Sequence, residues 1–276
     1  MEQAAWKIGS TVGPIVMSAL HAGHDMRAEV ASLCALSPME RMREEDPYTQ
    51  GWIGYGDHRI EVSRSRFEVD FNRPPDGCVY CTPAEAWGMG VWKDGLPEEV
   101  VLRSRELHRQ FYQEVQRLLD GLLTVYPRVV VLDIHSYNHR RQGPTGPAAP
   151  LAGNPDIDLL IPEGERQAWR ACYEVVYRAL SEIRVDGRLL TVGNNVRFQR
   201  AAFGDWVART YGRRVFVLVI EFKKIFMDEW SGRLDQATAT CLGGGLARAV
   251  AELRPLFGQK NGGSSVAGRS PVDCLL

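Results

Sequence analysis

Two short segments hold side chains able to bind a metal ion or move a proton. The apolar residues 129–132 (VVVL) run into Asp133, His135 and Ser136, which supply a carboxylate, an imidazole and a hydroxyl. The apolar run at 15–20 (IVMSAL) likewise gives way to His21, His24 and Asp25. Apolar strands of this kind belong to the buried parallel sheets of α/β folds, which place ligands at the C-terminal edge of their strands. Imidazole is the commonest metal-ligating side chain and a general base near neutral pH. Two strands that deliver histidine to one rim therefore predict a reactive site there.

Other polar groups close predicted elements: Glu44, Glu45 and Asp46, then Asn72 with Arg73, and Glu221. Together they fit a hydrolytic zinc site. Catalytic zinc takes three protein ligands from His and Asp or Glu and leaves one position for water, whose pKa falls to about 7. A separate carboxylate then takes the proton, and an arginine can grip an anionic substrate through two hydrogen bonds.

Each residue also has a plainer reading. His21 or His135 alone could be a satisfied structural histidine, and His24 reads as a loop residue behind a ligand. Three carboxylates at a helix C-terminus oppose the helix dipole, which points to a nearby cation, but spacing does not choose among Glu44, Glu45 and Asp46. Arg73 could pair with Asp70 or Asp76. Glu221 closes a run of apolar residues, where burial without a partner is costly, and this marks it for function. Asp133 lies two residues before His135 on the same strand face, the position of a hydrogen-bond partner for a ligating imidazole.

The whole chain sets outer bounds. It has 276 residues, of which 45% are hydrophobic and 24% charged, a globular composition that fits one large domain over 1–258. Thirty-three basic residues against 34 acidic ones leave a formal net charge of −1, so no global field recommends a nucleic acid or an anionic membrane as partner. A small or local ligand fits better. The first residues lack a basic segment followed by an apolar signal core, and the run near Ile15 is far shorter than the roughly 20 residues that span a bilayer, so the expected location is the cytoplasm. The six cysteines are then reduced thiols. Cys78 and Cys81 form an isolated CxxC with no second pair, which reads as a coincidence in a loop.

Several elements are legible. Ser37, Pro38 and Glu40 signal a helix start, and the helix ends in the acidic run before Pro47. Residues 59–63 and 66–71 alternate polar and apolar and predict two strands joined by a tight turn. Apolar positions from Val101 to Leu122 recur with helical period over 97–126. The Gly- and Pro-rich stretch 138–155 predicts a long loop, which in a compact domain is usually functional or mobile. Further strands are expected at 156–161, 189–193 and 214–222, with helices at 163–183 and 235–256. The small polar residues of 259–276 predict a disordered tail.

With these residues in place, the chain resembles the N-formylglutamate amidohydrolase family, whose fold and site are related to those of zinc carboxypeptidases. The likeness runs through HAGHD at 21, REEDPYT at 43, SRFEVDFNRPPD at 65, LDIHS at 132, FGDW at 203 and IEFKKIFMDE at 220. It implies one zinc ion held by His21, His135 and an acid of REEDP, Asp46 ahead of Glu45. It also implies a substrate-carboxylate clamp made of Asn72 and Arg73, with Glu221 as general base. Arg66 or Arg64 would stabilise the oxyanion, and His24, Asp133 and Ser136 would support the ligands from behind. Gln50 stands where typical members have a second acid, and Phe111 and Tyr112 where they have a helical histidine.

The expected fold is therefore a three-layer α/β domain of the zinc-exopeptidase (phosphorylase/hydrolase-like) kind, a mixed, mostly parallel sheet with helices on both faces. The expected reaction is zinc-dependent hydrolysis of the amide bond of a small N-acyl amino acid. The alternatives are a carboxypeptidase-like peptidase, which needs an open groove, and a catalytically silent module that binds a metabolite or a metal.

Overall fold

The apolar runs form the middle of a seven-stranded sheet. The computed structural model describes residues 4–261. In chain order the elements are β1 (Trp6–Ser10), β2 (Ile15–Ala19), α1 (Ala28–Leu33), α2 (Pro38–Glu44), β3 (His58–Val62), α3 (Glu98–Val125), β4 (Val129–Tyr137), β5 (Ile157–Leu160), α4 (Glu165–Ala168), α5 (Arg170–Ser181), β6 (Arg184–Val185), β7 (Arg188–Leu189), β8 (Val192–Asn194), α6 (Ala202–Tyr211), β9 (Val215–Lys223) and α7 (Gln236–Phe257). The sheet order is β1-β3-β2-β4-β9-β5-β8, and β6 with β7 forms a separate hairpin. Strands β3, β2, β4 and β9 are mutually parallel; β1 joins β3 antiparallel, and β5 joins β9 antiparallel.

Side-chain parity assigns the two faces. Along β4, Val130, Leu132 and Ile134 pack in the core built by α5 and α7, while Val129 and Val131 pack under α3 and α6. In β9, Phe216, Leu218 and Ile220 face the first core, and Val215 and Val217 the second. With a two-residue period, Asp133, His135 and Glu221 continue the valine rows on the α3/α6 face. That face is therefore apolar at its N-terminal end and polar at its C-terminal end.

The cap on α2 forms as the sequence predicts: Ser37 Oγ accepts from Glu40 N at 3.3 Å, and the Glu40 carboxylate accepts from Ser37 N at 2.8 Å. The second expected strand, 66–71, does not form. Ser65 O accepts from Glu68 N at 3.0 Å and from Val69 N at 3.3 Å, which starts a turn. Phe67, Val69 and Phe71 are buried, but so are Glu68 and Asp70, because each acid has a basic partner; the alternation does not separate core from solvent. β3 pairs instead with β2 and with β1, an edge strand the pattern did not indicate. The helix expected at 163–183 breaks at Trp169 into α4 and α5, and the strand at 189–193 divides between β7 and β8.

Residues 138–155 contain no helix or strand. Of the tail expected at 259–276, all but the first three residues lie outside the described residues. Among the described residues no helix is long and apolar enough to cross a membrane.

Candidate active site

His21 follows β2, His135 sits near the end of β4, and Asp46 lies two residues beyond α2. A backbone bond from Asp46 N to His21 O, 2.8 Å, brings the third segment to the first. The close passage of the HAGHD segment over Ser63 requires Gly23, since a Cβ there would lie 2.2 Å from the Ser63 carbonyl carbon. Asp46 Oδ2 stands 3.5 Å from His21 Nδ1 and 3.0 Å from His135 Nδ1, and the two rings are 4.7 Å apart. All three residues are buried, and their donor atoms lie within 4.8 Å of one another. Ligands about 2.0–2.1 Å from a tetrahedral ion are roughly 3.3 Å apart, so this nitrogen and oxygen set fits a divalent metal.

A carboxylate backs each imidazole on its other nitrogen. His135 Nε2 meets Asp133 Oδ2 at 2.9 Å, and Asp133 Oδ1 accepts from Ser18 Oγ at 2.7 Å. His21 Nε2 meets Asp70 Oδ1 at 2.7 Å. Such partners fix the tautomer and aim the opposite nitrogen at the ion. Asp70 also accepts from Arg66 and from Asn72 N, both at 2.8 Å, and from the Tyr80 hydroxyl. Burial raises its carboxyl, but the Arg66 and His21 charges prevail and hold it well below the usual carboxylate range.

The same balance acts at the cluster. Burial alone would raise Asp46, but hydrogen bonds from His135 and His21 outweigh it and hold it well below its ordinary value. Burial lowers His135, yet the Asp133 charge and hydrogen bond, with Asp46 and Glu221 beside them, push it well above that of a free imidazole. Carboxylates on both ring nitrogens favour the protonated form of His135.

Glu221 occupies the β9 position directly beside His135 in the parallel register. No described residue hydrogen-bonds its carboxylate. Burial raises its carboxyl to about 8, with the Asp46 charge adding to the rise and His135 opposing it. A carboxyl group so placed can exchange a proton near neutral pH.

Other expected residues have varied surroundings. Ser136 Oγ donates to Asp46 Oδ1 at 3.0 Å. Glu45 points away from the cluster: Ser65 Oγ and His24 Nδ1 each contact it at 2.5 Å, so its expected part as a ligand is corrected in favour of Asp46. His24 consequently serves Glu45 and Arg41 and does not back a cluster histidine. Arg66 lines the pocket, but each guanidinium nitrogen already has an acceptor, namely Asp70, the Tyr80 hydroxyl and Glu44 O. It holds Asp70 by an ion pair. Arg64 is buried beside Glu68, outside the pocket lining. Asn72 Oδ1 accepts from Phe203 N at 3.0 Å, leaving its amide Nδ2 for the pocket. Arg73 makes no ion pair among the described residues, and its carbonyl accepts from His108 Nε2 at 2.9 Å.

These groups line one cavity of about 320 Å³, which holds His21, Asp46, His135, Glu221 and Arg73. The sequence reading missed Asp70, Tyr80, His108 and Lys224. Asp70 and Lys224 sat inside quoted motifs, and the available signal was a charged residue within an otherwise apolar segment. Lys224 is buried, and its ammonium donates to Arg43 O, Glu45 O and Asn138 Oδ1, which ties the α2 end and the start of the long loop to the sheet. Cys78 and Cys81 lie outside the cavity lining, and burial pushes the Cys78 thiol up to about 11.

Comparison with known proteins agrees with this architecture. A crystal structure of an N-formylglutamate amidohydrolase from Ralstonia eutropha JMP134 superposes with a TM-score of 0.70 at 17% identity, covering 92% of this chain and 98% of that one. A gene product of Agrobacterium tumefaciens gives a TM-score of 0.58 at 17% identity, covering 91% and 96%. A putative carboxypeptidase A from Shewanella denitrificans OS-217 is more remote, with a TM-score of 0.42 at 14% identity over 92% of this chain and 61% of that one. No curated protein matches the sequence. The sequence pattern of one family covers most of the chain, residues 13–227, and by that match the protein belongs to the N-formylglutamate amidohydrolase family.

Proposed function

We propose that this chain hydrolyses the amide bond of a small N-acyl amino acid of the N-formyl kind, in the cytoplasm, with one zinc ion held by His21, Asp46 and His135. The observation that carries the reading is the convergence of these three buried residues from distant chain positions, with Glu221 beside His135 in the same cavity. When bound, zinc would lower the pKa of a water molecule to about 7 and polarise the acyl carbonyl.

The chain's own residues would do the rest. Arg73, with the Asn72 amide, grips the substrate carboxylate and so places the acyl carbon near Glu221. Glu221 takes a proton from the attacking water, whose oxygen bonds to the acyl carbon. It then passes that proton to the nitrogen as the C–N bond breaks, releasing the acid and the free amino acid. Asp133 and Asp70 keep the two imidazoles oriented throughout. A cavity of about 320 Å³ suits a small molecule better than a peptide chain.

The test assays zinc-loaded protein against N-formyl amino acids and short peptides, followed by chelation. Release of formate that stops on chelation and returns with zinc supports the proposal. Cleavage of peptides in its place favours the carboxypeptidase-like reading, and no turnover with retained metal favours a silent binding module.

A further inference from the structure

The proposed substrate pocket has several basic residues, most of which already face an acid or a full set of acceptors. Arg66 is paired with Asp70 at 2.8 Å, Arg141 with Glu44 at 3.4 Å and Arg200 with Asp205 at 2.8 Å. Lys224 has three N–H donors, and all three already reach oxygen acceptors on the protein. Arg73 alone among the pocket's basic residues has neither an ion pair nor a full set of acceptors; among the described residues its guanidinium has one hydrogen bond, a 3.5 Å contact from Nη2 to Glu85 O.

Trp87, Tyr137 and Phe198 also line the pocket. Trp87 lies beneath the guanidinium carbons of Arg66 and Arg73, at 4.8 and 5.9 Å from its ring centroid, and remains 49% exposed. Its backbone is held at φ 55°, a conformation that bulky residues rarely adopt. Across the pocket, Phe198 stands edge-on to Tyr137 with ring centroids 5.6 Å apart. An exposed indole held by a disfavoured backbone beside the one available cation is placed to cover an apolar group on a ligand that Arg73 has gripped.

We propose that the substrate carries one carboxylate and an apolar or aromatic side chain, with Arg73 taking the carboxylate and Trp87 with Phe198 enclosing the side chain. This rests on the amidohydrolase reading above and narrows it. A second carboxylate, such as that of an N-acyl glutamate, would have to share an arginine already paired with Asp70, Glu44 or Asp205, or lie against the aromatic side chains without a partner.

The test compares kcat/KM of the zinc-loaded enzyme for N-formyl-L-phenylalanine and N-formyl-L-glutamate. The expected preference for the phenylalanine compound is at least about tenfold, as expected for burying a large apolar group. Trp87→Ala should remove most of that preference by lowering turnover of the phenylalanine compound alone, and Trp87→Phe should restore much of it. Equal or better turnover of N-formylglutamate overturns the inference, as does a Trp87→Ala variant that slows both substrates alike. If neither compound is cleaved, the amidohydrolase reading fails, and calorimetric titration of the same two compounds then decides the charge argument. Tighter binding of the phenylalanine compound supports it, and tighter binding of the glutamate compound refutes it.

Discussion

Replacing Asp70 by Asn separates a residue that aims a metal ligand from one that merely supports the fold. Asp70 accepts four hydrogen bonds, from His21, Arg66, Asn72 N and the Tyr80 hydroxyl. An amide of the same shape keeps one acceptor oxygen and turns the other atom into a donor, which must face either the Arg66 guanidinium or the His21 ring. Removing the counter-charge of a buried pair is worth roughly 3–5 kcal/mol, and the slight exposure of Arg66 favours the lower figure, about 3 kcal/mol. At roughly 2–4 °C per kcal/mol for a chain of this size, the metal-free protein should melt about 6–12 °C lower. Zinc affinity should fall separately by about 10- to 100-fold, because His21 is no longer fixed with Nδ1 toward the cluster. Competition against a chromophoric chelator reads the second effect. Asp57→Asn provides the control: Asp57 accepts from Ile15 N and pairs with Arg254 near the N-terminal end of β2, so its loss should lower the melting point and spare zinc. An Asp70→Asn protein that binds zinc within twofold of the wild type, however unstable, would refute the aiming role.

Glu221→Gln should retain one metal ion and lose at least about 100-fold in kcat, measured by formate release. In the metal-free protein the same change acts on stability. The folded chain holds the Glu221 proton up to about 8, while the unfolded chain releases it near 4.5, so this group's contribution falls as pH rises between those values. Thermal melts should therefore show the variant more stable than wild type at pH 8 and equal to it near pH 4. Arg73→Ala should reduce kcat/KM by about 100-fold, and Arg73→Lys should recover only part, since an ammonium lacks the two-pronged geometry. If Ala and Lys variants both match the wild type, the carboxylate clamp lies elsewhere. Asp156 accepts from Arg188 and from Thr191 N and Oγ1; burial raises its carboxyl, but these bonds prevail and lower it. Its stabilisation is present above its ordinary value of 3.8 and is lost as pH falls below it, so Asp156→Asn should weaken the acid dependence of melting by about 1 kcal/mol, a small figure because Arg188 is half-exposed.

How much of this was legible depended on whether the deciding interaction was local. The α3 period, the α2 cap and the apolar starts of β4 and β9 follow from neighbours within a few residues, and all four formed near their expected bounds. The placement of Asp133 behind His135 was equally local, because residues two apart in a strand share a face. The segment 66–71 failed because its alternation was real but its cause was not a strand. Glu68 and Asp70 face inward, drawn by Arg27 and His21, which are 41 and 49 residues away in sequence. A pattern of apolar and charged residues cannot distinguish a charge turned to solvent from one turned to a distant partner.

The two histidines make the same point within the site itself. His135 receives its supporting carboxylate from its own strand, so sequence alone paired them. His21 follows a short strand and takes its carboxylate from a turn in which Arg66, Tyr80 and Asn72 N converge on Asp70. The choice of Asp46 over Glu45 is also made at a distance: Ser65, in that same turn, and His24 engage Glu45 and leave Asp46 to face both imidazoles. The SRFEVDFNR segment thus engages Glu45 through Ser65, orients His21 through Asp70 and, on the proposed function, would supply the anion clamp through Arg73. Its inward-facing acids answer partners far along the chain, which is why the missed element and this part of the site are the same residues.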